Sequence, residues 1–269
     1  MSPRVACKLL LLAVLAAGPT VAGQITAGWQ ALAAYKPAEA LKIFDASADS
    51  AVSAVAREAR FGHAVALLDL QPVSSAALEE ARKICADLAD SGTDDAAQGG
   101  RFFLGRIAQQ HQPQPDPEEA ARQYRRLIGD HPGSVWAESA ITRLAVLQIY
   151  ALNQGASPAA RLAQTEKLLS QARTPSAQSD VHYAIANATF FYRLPAAGAL
   201  PHLIAAEQLG RMEWPTRIEV LIQIAELSRL AGDRAQAVKY FHTFLQENPR
   251  DLRAFVVRQR LAELEKPGA

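Results

Sequence analysis

Ala235-Gln-Ala-Val-Lys-Tyr-Phe-His-Thr-Phe-Leu-Gln-Glu-Asn-Pro-Arg-Asp, residues 235–251, carries the pattern that decides the fold. Counted from Ala237, a small residue (Ala225) stands twelve positions before, an aromatic (Phe241) four after and Pro249 twelve after. The same offsets from Ala120 give Ala108, Tyr124 and Pro132. From Ala40 they give Gly28 and Phe44, with Val52 where the proline would stand. Small residues at these offsets let two antiparallel helices approach closely, while the aromatic fills the gap beside them. The proline closes the second helix because it has no N–H to continue the hydrogen-bond ladder. The spacing therefore predicts helical hairpins built to one plan.

The rest of the chain supplies the helical background. Ala, Leu, Glu, Gln and Arg dominate after residue 24, and all are good helix formers. In the stretch from Ile218 to Leu227, apolar residues recur at spacings of three and four, the signature of one helix face. Stops fall at Ser91-Gly92, Pro113 and Pro115, His131-Pro132-Gly133, Ala231-Gly232-Asp233 and Asn248-Pro249. Asp116-Pro117-Glu118-Glu119 reads as an N-cap followed by a first-turn proline and acids at the positive end of the helix dipole. Asp94-Asp95 reads as another N-cap rather than a metal ligand set. The distances from Ala40 to Ala120 and from Ala120 to Ala237 divide into units of about 39 or 40 residues. Six hairpins follow, with intermediate helices near 51–69 and 74–90, 134–152 and 157–173, 177–193 and 196–209. A last helix near 250–266 is expected to cap the stack with a polar outer surface.

These hairpins resemble the tetratricopeptide repeat. Residues 117–140 and 235–251 in particular resemble the repeats of the periplasmic Tol–Pal coordinator and of outer-membrane assembly lipoproteins. The chain departs from the lipoproteins in lacking an anchoring cysteine and from the coordinator in lacking an N-terminal coiled-coil segment. The resemblance implies an all-α solenoid over residues 24–269 whose first helices line a concave surface that holds a protein or peptide. Inner-face candidates are Phe102, Gly105, Gln109 and Gln112 in one unit, and Glu219, Ile222, Glu226 and Arg229 in another.

Residues 1–23 read as a secretory signal peptide. Arg4 and Lys8 precede the apolar run Leu9 to Ala17, and Gly18-Pro19 break it before the small residues of Thr20-Val21-Ala22. Nine apolar residues are too few for a span, which takes about 20. Export to the periplasm as a protein without an integral membrane segment is the expectation. Removing residues 1–23 takes two cations and no acid, so the net charge moves from +1 to −1. That gives no pull toward nucleic acid. Residues 24–100 carry a net −5 and residues 101–269 a net +4. Cys85 is then the lone cysteine, and its apolar neighbours mark it as a buried, inert thiol.

Chemistry is hard to place on this sequence. The six histidines form no zinc-helix pair, and no phosphate loop, dinucleotide fingerprint or nucleophile elbow occurs. Glu79-Glu80 and Glu118-Glu119 are adjacent on their helices and point apart. Tyr183, Phe190, Phe191 and Tyr192 have the spacing of core filling. No catalytic residue, cofactor or metal is expected. The sequence is read as a non-catalytic scaffold; self-assembly through the terminal hairpins, or a cell-wall polymer binder or enzyme with its site in the groove, are the alternatives.

Overall fold

A computed structural model describes residues 21–266, all helix and connecting turn with no strand among the described residues. The helices are α1 (Val21–Ala33), α2 (Pro37–Ala48), α3 (Ser53–Asp69), α4 (Ser75–Asp90), α5 (Asp95–Arg106), α6 (Pro117–Asp130) and α7 (Val135–Tyr150). They continue as α8 (Pro158–Glu166), α9 (Pro175–Phe191), α10 (Leu200–Gln208), α11 (Trp214–Leu230), α12 (Arg234–Glu247) and α13 (Ala254–Leu264). Helix α5 runs on into a π-helical turn, Ile107–His111, and α8 into a 3₁₀ turn, Lys167–Ser170. Pairing them in order gives the six hairpins and terminal helix read from the sequence. The chain divides into two compact units after Ile84, within α4. The expected leader falls almost entirely outside the described residues, as does Cys7.

In the first unit the small-residue rule is visible atom by atom. A Cβ added at Gly28 would sit 2.6 Å from the Phe44 ring, and one at Gly62 would sit 2.4 Å from it. The two glycines are 34 residues apart, one on α1 and one on α3, so a single ring from α2 locks the first helix of its own hairpin to that of the next. Phe44 is fully buried, and Trp29 meets it edge-on at 5.2 Å. His63 on α3 reaches Asp45 of α2 at 2.6 Å and lies 3.4 Å from Glu80 of α4.

In the second unit the leading helices of successive hairpins, α5, α7, α9, α11 and α13, begin 39 or 40 residues apart, as the sequence period requires. Substantial packing is confined to helices one or two places apart in the chain, the hallmark of a linear repeat. Each start is capped where the sequence supplies an oxygen: Asp94, Asp116, Ser134, Ser157, Thr174 and Asp233 each accept from a backbone N–H three residues on. Prolines 132 and 249 fall just beyond the ends of α6 and α12, as expected. Ala225, Ala237 and Phe241 are fully buried in one cluster with Tyr240 and Phe244. Burial at Cys85 pushes its thiol up to about 12.

Two expectations are corrected, and one packing contact is added. Beneath Tyr124 lies Gly105, one turn before Ala108: a Cβ there would sit 2.4 Å from the ring. Ala108 is still buried, and its carbonyl accepts the N–H of Asp116 at 2.8 Å. The aromatic cluster near 190 is only partly core: Phe191 is 67% exposed and stacks edge-on with Tyr150 at 5.3 Å. Finally, the terminal helix does not present a polar outer surface along its whole length, because Leu252, Phe255 and Val256 are exposed at its start.

The Phe44 lock makes a direct prediction. Gly62→Val should destabilise by about 1–3 kcal/mol, the usual range for overpacking. Gly129→Ala on α6, where an added Cβ meets nothing within 4 Å, should gain about 0.5 kcal/mol from helix propensity. Urea unfolding of both variants checks the contrast; equal effects would mean the ring is not a tight contact.

Candidate functional site

The two sets of inner-face candidates fare differently. On α5, Phe102 is buried among Phe103, Tyr124 and Trp136, with ring centroids 5.4 to 5.8 Å apart. Gly105 lies under Tyr124. Gln109 uses its Oε1 to accept the Tyr124 hydroxyl at 2.9 Å, and Gln112 sits past the end of the π turn in extended backbone. Phe102 and Gly105 are thus withdrawn into the core and offer no accessible lining.

On α11 the candidates do share a face. Glu219 is exposed, and Ile222, Glu226 and Arg229 are half-buried. Glu219 accepts from Arg253 at 2.6 Å, while Glu226 pairs with Arg229 at 2.9 Å and lies 3.7 Å from Arg260. Arg253 and Arg260 stand 34 positions after Glu219 and Glu226, so consecutive leading helices, α11 and α13, carry opposite charges side by side. Arg253 is itself fixed by Asp251, whose carboxyl it holds down at about 2 through side-chain and backbone hydrogen bonds. Sequence reasoning missed Arg253 and Arg260, because their 34-residue offset from the acids differs from the 39- or 40-residue repeat. Exposed pairs of this kind are worth at most about 1 kcal/mol each, so the ladder orders the face more than it stabilises the fold.

A second polar cluster joins three other helices. His182 on α9 and His202 on α10 meet Nδ1 to Nδ1 at 2.9 Å, and the Nε2 of His202 is 3.0 Å from Glu166 of α8. One ring must donate and the other accept, so the chain of contacts runs from His182 through His202 to Glu166. Burial, and then the charge of His202, lower the pKa of His182. Asp180, next to it on α9, is raised by burial while Thr142 of α7 donates to it at 3.4 Å. The pair is a structural clasp; no group of three His, Cys, Asp or Glu side chains among the described residues is placed to hold a metal ion. No described helix is long and apolar enough to cross a membrane.

No family model matches the chain, and no curated protein sequence matches it. Among solved structures it is similar to the TPR domain of P58(IPK), seen in a crystal structure, with 16% identity and a TM-score of 0.34. The match covers 90% of this chain and 64% of that one, so the chain spans somewhat less than two thirds of that structure's length. By its own geometry the chain is an all-α repeat of helical hairpins.

The histidine clasp gives a pH prediction. A lowered His pKa means that the unfolded chain binds the proton more readily, so this contribution is complete above the ordinary value of 6.5 and is lost as pH falls below it. Melting curves between pH 7.5 and 5 should show a decline that His182→Gln reduces; an identical pH profile in the variant would exclude the clasp as its source.

Proposed function

We propose that this chain is an exported, non-catalytic scaffold of the bacterial cell envelope that holds a protein or peptide partner on the leading-helix face of α11 and α13. The observation that carries the reading is the ladder Glu219–Arg253 and Glu226–Arg260. It is a half-exposed surface carrying both charges side by side, whose weak internal pairs can be exchanged for contacts to a bound chain at little cost. Ile222, packed partly on the core beneath, supplies an apolar point between the two rungs. The likeness of residues 117–140 and 235–251 to repeats of periplasmic coordinators and outer-membrane assembly lipoproteins, together with the leader-like residues 1–23, supports the periplasm as the place of work.

Glu226→Ala with Arg229→Ala should weaken capture of the partner from envelope extracts by about tenfold, since a few central residues carry most of an interface's energy. Unchanged capture, with the fold intact by circular dichroism, would remove this face from the function. Fractionation of cells producing the full chain tests the location separately.

One observation favours self-association as a second reading. Leu252, Phe255 and Val256 leave apolar surface exposed at the start of the terminal helix, where a capping helix is ordinarily polar. On that reading sedimentation shows concentration-dependent dimers that Phe255→Asp abolishes. A monomer at all concentrations would reject it.

A further inference from the structure

A cleft of about 460 Å³ opens in the second unit between α6, α7 and the 3₁₀ turn that ends α8. It lies apart from the leading-helix face of α11 and α13, and nothing in the scaffold reading uses it. Its rim carries three cations from three different segments: Arg125 of α6, Lys167 of the 3₁₀ turn, and Arg173 of the connection to α9. None of the residues lining it is acidic. Ile128, Leu144 and Leu168 form the apolar floor, each less than a tenth exposed. Beside them is Gln148, 6% exposed, whose Oε1 has no hydrogen-bond partner.

Arg173 is held in place before any ligand arrives. Its backbone N–H donates to both carboxylate oxygens of the buried Glu138 at 3.0 Å. Its side-chain stem crosses Gly133, where an added Cβ would lie 2.9 Å from Cδ and where φ is +84°. Glycine is therefore required there twice over, by the turn and by the arginine that passes across it. A buried acceptor without a donor is costly, and three cations without a carboxylate leave a local positive field. Together they define a ligand that brings a negative charge, an N–H and an aliphatic group. The absence of any aromatic among the lining residues weighs against a sugar, whose rings stack on aromatic faces.

We propose that this cleft binds an extended acidic peptide segment, with an acidic side chain on Arg125, Lys167 and Arg173, a backbone N–H on Gln148 Oε1, and a neighbouring aliphatic side chain on Ile128, Leu144 and Leu168. The occupant is a segment of a partner protein read through its side chains, so a free carboxy terminus is not needed.

The test is a nuclear magnetic resonance titration of the full chain with the blocked peptide acetyl-Ala-Leu-Glu-Leu-Ala-amide, following the Leu144 and Leu168 methyls and the Gln148 side-chain amide. Saturable shifts at those groups are expected. Affinity should fall about tenfold when the peptide's Glu is replaced by Gln, or in the variant Arg173→Gln, the loss typical of one charge-assisted hydrogen bond. Gln148→Met should weaken the peptide and leave inorganic phosphate unaffected; because Gln148 is buried, the exposed Arg125→Gln provides a second variant that leaves the core untouched. No saturable shift at the cleft, equal affinity for the Gln peptide, or tighter binding of glucuronate than of the peptide would each overturn the proposal.

Discussion

The ring of Phe44 touches two glycines that belong to different hairpins, and the architecture of the first unit depends on that contact. Gly28 and Gly62 leave no room for even a methyl group beneath the ring. The backbones of α1 and α3 therefore approach α2 as closely as the aromatic allows, and no hairpin completes its core alone. One side chain serves both the interface within a hairpin and the interface to the next, which is why the stability of such proteins is a sum over neighbours rather than a property of one central core. Gly105 beneath Tyr124 repeats the first half of the arrangement in the second unit, and Gly100, where a Cβ would meet the Cys85 carbonyl at 2.7 Å, brings α5 against α4 in the same spirit.

Because this contact links residues at fixed offsets, much of the fold was legible from the sequence. A small residue, an aromatic and a proline at constant spacing mark the hairpin, and caps such as Asp116 and Asp94 mark its beginnings through purely local chemistry. What was not legible depends on local irregularity. The π turn at Ile107–His111 has no composition of its own, and Phe102 is drawn into the core by Phe103, Tyr124 and Trp136, a packing that the repeat offsets do not encode. The outer face of α13 was misjudged for another reason: the pattern of Ala254, Val257 and Leu261 predicts its buried side, but nothing in the repeat specifies what lies opposite.

The leading-helix face was half legible. Glu219, Ile222, Glu226 and Arg229 stand at spacings of three and four along α11 and so share one side of it. Their partners were missed because Arg253 and Arg260 lie beyond the hairpin, 34 residues after the acids rather than at the 39- or 40-residue repeat. The pairing changes the meaning of the charges: each acid on α11 is already answered by a cation from the next helix, so the face is polar without being strongly of either sign.

That balance shifts the electrostatic character of the second unit elsewhere. Residues 85–269 balance 20 basic against 20 acidic side chains, and the ladder on α11 and α13 sets its cations beside carboxylates. Arg125, Lys167 and Arg173 sit instead around a cleft with no acid in its lining. Fields from unanswered charges extend about 8–10 Å at physiological ionic strength, whereas those of close ion pairs largely cancel within a few ångströms. The two surfaces therefore differ in kind. The leading-helix face can select a partner by the register of alternating charges, while the cleft beside the second helices attracts negative charge before contact and then discriminates by the buried amide of Gln148 and the aliphatic floor.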